Sequence, residues 1–189
     1  MTVAGLAIDA SSRNPIVLLR DPSGCRQVPI WISHEQAHTI MAGIENAHQG
    51  APLTHDLIIS ILKAGNLELD RIVIHSIEEG KFQAVIRIRL KNSNKTKAGE
   101  GQSKFIELNS RPSDAIALAI RSRCSIWMHE KVVVDASMPV DAEADEKEQD
   151  KFRHFIDNIS PADLIRHLED KANNSENSEE KPNNNETKE

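Results

Sequence analysis

The segment with the clearest chemical potential is HEQAH, residues 34–38. On a helix, this spacing places two histidines one turn apart, where they can bind zinc while the glutamate acts as a general base. A zinc protease of this type needs a third ligand, which follows shortly after a glycine or comes from a downstream glutamate. Here position 41 is Met, position 44 is Ile, and no glutamate occurs between Glu45 and Glu68. We therefore reject zinc proteolysis and expect no zinc site.

Composition indicates a globular protein with an acidic C-terminal part. The 189 residues are 39% hydrophobic, which is enough for one domain with a core. Residues 1–134 carry 16 Lys and Arg against 13 Asp and Glu, a net charge of +3, whereas residues 135–189 carry 7 against 16, a net charge of −9. A charge of +3 neither requires nor excludes a nucleic-acid partner for the domain.

Targeting and redox signals favour the cytoplasm. The first residues lack the basic start and apolar run of a signal peptide, and no segment approaches the roughly 18 apolar residues of a membrane span. Cys25 and Cys124 are isolated from each other, which favours a reduced setting over a disulfide framework. We expect a cytoplasmic protein without a membrane partner.

Hydrophobic periodicity in the first half predicts a meander followed by two helices. β-favouring runs at residues 3–9, 16–20 and 26–32 are separated by turn signals. A helical period follows over about residues 34–48, with a capping box at its start. Thr54 is predicted to cap a second helix that ends at Gly65 and buries Leu57, Ile58, Ile61 and Leu62.

The second half predicts long strands and one buried helix. Residues 67–77 and 81–91 predict two strands around a turn, and residues 103–109 predict a third. The run AIALAI within residues 111–123 is apolar on all sides, which predicts a buried helix with Pro112 at its first position. Residues 126–134 predict one or two last strands.

These elements predict an α+β domain over residues 1–134, with a mixed, largely antiparallel sheet or sheets and about three packed helices. Residues 135–150 are predicted to be an acidic linker, and residues 151–172 a short C-terminal helical segment. Residues 173–189 have no apolar residues to bury, which predicts a disordered tail.

Three segments together resemble the bifunctional nuclease domain family. PIWI at residues 29–32, THDL at 54–57 and RPSDAIALA at 111–119 carry the resemblance, which covers about residues 3–134. It implies a compact α+β domain that self-associates and hydrolyses both RNA and DNA with little sequence specificity. The position of His34 is not characteristically histidine in the family, so HEQAH lies outside the signature.

The resemblance directs attention to the polar residues of these motifs. Hydrolysis of a phosphodiester bond needs a positioned water and charge stabilisation at the phosphate, from a carboxylate-held divalent metal, Arg or Lys. We expect Mg²⁺ or Mn²⁺ held by Asp114 and Asp56, and no organic cofactor. The candidate catalytic residues are Arg111, Asp114, His55 and Asp56, and the candidate substrate-binding residues are Ser113, Thr54, Arg87 and Arg89.

Each assignment has a structural alternative. Thr54, Asp56 and Asp114 can serve only the N-termini of helices, Arg111 can pair with a buried carboxylate, and the basic strand face with Arg87 and Arg89 can simply be solvated. The isolated tryptophan at position 31 is interpreted as a packing or oligomer contact. A second hypothesis for the whole chain is a non-enzymatic regulatory or ligand-binding homo-oligomer, because the domain has no dense acidic cluster of the kind that holds catalytic metals.

Overall fold

The computed structural model of the chain describes residues 1–46, 51–90 and 105–140, together with residue 150. The chain forms two units, residues 1–152 and 153–189, and the second lies outside the described residues, as do the predicted C-terminal helical segment and tail. The described strands are β1 (Thr2–Ile8), β2 (Pro15–Arg20), β3 (Arg26–Trp31), β4 (Leu67–Glu78), β5 (Lys81–Leu90), β6 (Phe105–Ser110), β7 (Ser125–Met128) and β8 (Met138–Pro139). The described helices are α1 (His34–Ile44), α2 (Thr54–Ala64), α3 (Pro112–Ser122) and α4 (Glu130–Ala136).

Two four-stranded sheets confirm the predicted α+β fold. The first has the order β1-β2-β3-β8 and is antiparallel throughout, so the predicted meander is confirmed. The second has the order β6-β5-β4-β7, in which only the β4–β7 pair is parallel. The β4–β5 hairpin turns through Glu79 and Gly80, which both have positive φ, as a tight two-residue turn requires.

Helix α3 lies at the centre of the core. Its five residues from Ala115 to Ala119 are all buried, and the helix packs against α1, α2, β4 and β5. Pro112 occupies the first helical position, where its missing N–H breaks no helical hydrogen bond. The prediction of a buried helix from AIALAI is therefore confirmed.

Arg121, in the last turn of α3, joins three helices. Its side chain is only 7% exposed. Nε donates to Asp56 Oδ1 of α2 at 2.8 Å, Nη2 donates to the Thr39 carbonyl of α1 at 2.9 Å, and Nη1 donates to the Ala117 carbonyl at 3.1 Å. The other carboxylate oxygen of Asp56 accepts from the Leu53 backbone N–H at 3.0 Å. The ion pair therefore fixes the N-terminus of α2 relative to α1 and α3.

The prediction of strand for residues 130–134 is wrong. Only Ser125–Met128 is a strand, and Glu130–Ala136 is the helix α4, which begins after His129. The valine run favours a strand locally, but packing of buried Val132 and Val133 against the second sheet overrides that propensity. Residues 135–140, at the start of the predicted acidic linker, form the end of α4 and the strand β8.

The predictions for α2 need two corrections. Leu53 is the N-cap residue and Thr54 is the first helical residue, because the Asp56 carboxylate, and not the Thr54 hydroxyl, accepts the free N–H at this end. Leu57 and Ile61 were expected to be buried but are 53% and 60% exposed, while Ile59 is buried. The helix therefore turns an apolar stripe to the surface. No helix of the described residues is long and apolar enough to cross a membrane.

Gly43 of α1 makes the position of Arg121 possible. A Cβ at Gly43 would lie 2.7 Å from Arg121 Nη1 and 3.2 Å from Ile120 Cγ2. We predict that Gly43→Ala lowers the free energy of unfolding by about 1–2 kcal/mol, because overpacking outweighs the higher helix propensity of alanine. Urea denaturation measures this change.

The matched control is Gly65→Ala, whose Cβ would meet no atom closer than 3.5 Å. Its free energy of unfolding should change by less than about 0.5 kcal/mol. Equal effects of the two substitutions would contradict the close approach of Arg121 to α1.

Candidate functional site

The predicted residues Arg111 and Asp114 lie together at the start of α3. Arg111 is the N-cap residue, and its Nε and Nη2 donate to the two carboxylate oxygens of Asp114 at 2.6 and 3.1 Å. The hydrogen bond to Asp114 raises the pKa of Arg111 above its usual range, so the guanidinium stays charged. Because the pair uses two of five N–H donors and the Arg111 side chain is 71% exposed, the remaining donors are available to a ligand.

His55 joins this pair from the first turn of α2. Its Nε2 lies 3.5 Å from Asp114 Oδ1, and its side chain is mostly buried. Shortening the distance by about 0.5 Å would give an ordinary hydrogen bond, and such tightening is common when a substrate binds. The structure thus brings Arg111, Asp114 and His55 into one array from two distant segments.

A cavity of about 130 Å³ lies over the array. Helix α1 supplies Glu35, Gln36 and Thr39 to its wall, opposite His55 and Asp114. A larger cleft of about 660 Å³ is lined by the ends of β3 and β6, the β4–β5 turn and the start of α3. The two cavities share three lining residues, which are Gln36, Arg111 and Ser113. Arg111 therefore stands where the small cavity meets the large cleft.

Asp56 lies close by in sequence but has a different environment. Both of its carboxylate oxygens accept hydrogen bonds, from Arg121 and from the Leu53 backbone. This geometry favours a structural role for Asp56, which holds α2 in place and thereby positions His55.

The predicted metal site does not fit the arrangement of these carboxylates. Asp56 is held by Arg121, and both oxygens of Asp114 are held by Arg111. Within the part of the chain that the structure describes, which includes His34 and His38, no group of three or more His, Cys, Asp or Glu could hold a metal ion. Metal assistance stays a prediction, and no step below is routed through a metal.

The four predicted substrate-binding residues divide between the cleft and other places. Ser113 is buried and lines both cavities. Thr54 is exposed and lines neither of them. Arg87 and Arg89 also lie outside both cavities, on the second sheet.

Glutamates on neighbouring strands partly neutralise this basic face. Arg87 stacks on Phe105 at 3.9 Å and lies 3.9 Å from Glu107. Arg89 lies 3.3 Å from Glu68. Lys91, Lys95 and Lys97, which extend the basic face in sequence, lie outside the described residues.

The lining residues that were not assigned to a site from the sequence include Glu35, Gln36, Trp31 and Lys81. Glu35 and Gln36 lie inside HEQAH, where the zinc motif drew attention to the histidines instead. The alternation of strand side chains was a usable signal for Trp31, because burial of Ile30 and Ile32 places the residue between them on the opposite face. For Lys81 there was no signal beyond its place after a turn.

Comparison with known proteins identifies the family of the chain. The bifunctional nuclease domain matches residues 17–141. The chain therefore belongs to the bifunctional nuclease domain family, and the resemblance seen in the sequence is confirmed. Two similar relatives are the uncharacterized proteins MT1877 and Rv1829, from two strains of Mycobacterium tuberculosis. Each is 30% identical over 170 residues, which are 86% of this chain and 95% of the relative.

The two arginines of α3 should respond differently to removal. We predict that Arg121→Ala lowers the free energy of unfolding by about 2–4 kcal/mol, because it leaves Asp56 without its cation and two carbonyls without their donor. Arg111→Ala should leave the urea midpoint close to that of the unchanged protein, since its side chain is mostly in water. A large loss of stability in Arg111→Ala would show that Arg111 is scaffold.

Proposed function

We propose that the chain is a nuclease that hydrolyses phosphodiester bonds of RNA and DNA with little sequence specificity. Membership of the bifunctional nuclease domain family supports the class of reaction. The observation that carries the proposal is the array of Arg111, Asp114 and His55 where the small cavity meets the cleft. It combines an exposed cation with a histidine and a carboxylate, which phosphoryl chemistry needs.

The phosphate binds at the start of α3. Free backbone N–H groups of the first helical turn, with the partial positive charge of the helix end, attract an anion there. Arg111 adds a full positive charge at the same position, and its N–H groups that do not contact Asp114 donate to phosphate oxygens. These groups stabilise the extra negative charge of the transition state.

His55 moves the proton. When its proton is on Nε2, which faces Asp114, the other ring nitrogen is free to accept a proton from water. The water oxygen then bonds to phosphorus, the bond to the leaving oxygen breaks, and the proton returns from the imidazolium to the leaving alkoxide. Asp114 holds the ring and stabilises its charged form.

The same chemistry applies to RNA and DNA. Arg111 and the start of α3 contact the phosphate, which is common to both polymers, and they do not read base edges. The water nucleophile makes the reaction independent of the ribose 2′-hydroxyl. Low sequence specificity follows from this mode of binding.

The site is tested by cleavage of a plasmid and of single-stranded RNA. We expect Arg111→Ala, Asp114→Asn and His55→Ala each to lower the cleavage rate at least about tenfold, while the circular dichroism spectrum shows that each variant remains folded under the assay conditions. The control is Lys131→Gln, which removes an exposed cation outside both cavities and should keep nearly full activity. Folded variants of the array with full activity would contradict the assignment.

The same assay addresses the metal. We expect cleavage to continue in EDTA, because Arg111 and Arg121 hold the carboxylates that were predicted to bind the metal. Loss of cleavage in EDTA with recovery in Mg²⁺ or Mn²⁺ would instead support the metal assistance that the sequence analysis predicted.

Self-association is a second property that we propose. Leu53, Leu57 and Ile61 follow one another at four-residue spacing along the exposed side of α2, and such a stripe is typical of a protein interface. This observation also favours the alternative of a regulatory homo-oligomer. We propose a cytoplasmic location as well, because both cysteines are free.

Light scattering tests the self-association. We expect an oligomer that the double substitution Leu57→Glu and Ile61→Glu converts to monomer, because two charges would be buried in the interface. The control Lys63→Glu also adds negative charge to α2, but at an exposed polar position. An unchanged mass of the double variant would exclude this face.

A further inference from the structure

Trp31 is exposed, although the residues on either side of it in the chain are buried. It ends β3, between the buried residues Ile30 and Ile32, yet its side chain is 55% exposed and lines the large cleft. Much of this large aromatic side chain is left in contact with solvent, which loses the burial that usually favours such a residue. The exposed ring is therefore available to a ligand in the cleft.

The Trp31 side chain lies near the carboxylate of Asp9, just after β1. The Asp9 oxygens accept from the backbone N–H groups of Ser11 and Ser12, at 3.3 and 3.2 Å. Hydrogen bonds, chiefly from the Ser12 side chain, lower the pKa of Asp9, so the acceptor stays ionised at neutral pH. Asp9 therefore places a fixed negative charge near Trp31, while much of the Trp31 side chain remains accessible.

The lining of the cleft beside Trp31 carries two cations. Its lining residues, all in the described part of the chain, include the cations Lys81 and Arg111 and no Asp or Glu. The start of α3 adds the positive end of a helix dipole. A volume of about 660 Å³ is within the usual range for a site that binds a small ligand or part of a chain.

We propose that Trp31 is a stacking platform for a nucleobase of the bound nucleic acid. A base next to the phosphate at Arg111 stacks on the indole, and Lys81 contacts a neighbouring phosphate. In a duplex the faces of a base are covered by its neighbours, so this mode of binding selects unstacked bases in single-stranded segments. The inference deepens the proposed function and rests on it for the nature of the ligand.

Trp127 is the natural comparison, because it is the second of the two tryptophans in the chain. It is also about half exposed, but the Arg71 guanidinium lies over its ring at 4.6 Å from the centroid. Trp127 does not line either cavity. It should therefore take no part in binding a base.

The test measures binding of a four-nucleotide DNA strand with phosphorothioate linkages, which slow cleavage, and of the same strand with abasic sites. With the Trp127→Phe protein, in which Trp31 is the remaining tryptophan, the base-bearing strand should quench the fluorescence. Trp31→Ala should weaken its binding at least about fivefold, whereas Trp31→Phe, which keeps an aromatic ring, should restore most of the affinity. For the abasic strand, Trp31→Ala should change the affinity less than about twofold, because no base is present to stack.

Equal losses of affinity for both strands would show that Trp31 supports the fold of the cleft and would overturn the stacking role. No loss for either strand would overturn it too. If the unchanged protein binds neither strand, the nucleobase site and the proposed function both fail. If Trp31→Ala binds normally while Arg111→Ala loses cleavage, the proposed function stands and the stacking role alone fails.

Discussion

The buried guanidinium of Arg121 is the constraint on which the rest of the site depends. A buried cation is costly unless its donors are satisfied, and here a carboxylate of α2 and carbonyls of α1 and α3 satisfy them. The guanidinium reaches these partners only while the three helices keep one arrangement. Gly43, which has no side chain, leaves space for the guanidinium beside α1. Asp56 accepts one hydrogen bond from Arg121 and another from the Leu53 backbone N–H at the start of α2. The ion pair therefore fixes the position of His55, which precedes Asp56 in the chain. The buried ion pair and the packing of the three helices thereby fix the position of His55 in the proposed site.

The same helix carries a structural arginine at one end and the arginine of the proposed site at the other. Arg121 is buried and its partners belong to the fold, whereas Arg111 is exposed and retains donors for a ligand. The apolar run between them is buried in the core, so the helix cannot tilt without opening cavities. Its N-terminus is consequently held rigidly, and in the proposed mechanism this rigid placement of charge stabilises the transition state. Under the same proposal, neighbouring nucleotides of the substrate bind along the cleft.

Much of the fold could be predicted from sequence because its signals are local. β-favouring runs between turn signals predicted the meander, two long strand patterns around a turn predicted the β4–β5 hairpin, and the uniformly apolar run predicted the buried α3. The failures occurred where tertiary contacts decide: the valines of α4 pack as a helix, and Leu57 and Ile61 are exposed although their spacing is that of a buried face. For the site, the motifs identified Arg111, Asp114 and His55 but not their association. His55 and Asp114 meet through packing of α2 on α3, which no local pattern encodes. The different roles of Asp56 and Asp114 likewise depend on tertiary contacts, because Asp56 pairs with the buried Arg121 and Asp114 pairs with the exposed Arg111.

The central claim is that His55 and Asp114 act as one catalytic unit on a phosphate bound at Arg111. A double-mutant cycle on the cleavage rate tests this most directly, using His55→Ala, Asp114→Asn and the double variant on one single-stranded RNA. When two residues act as one unit, removing the second costs little further activity once the first is gone. The double variant should therefore cleave about as slowly as the slower single variant. If instead the two losses multiply, the residues act independently, and the account of Asp114 as the partner of His55 is contradicted.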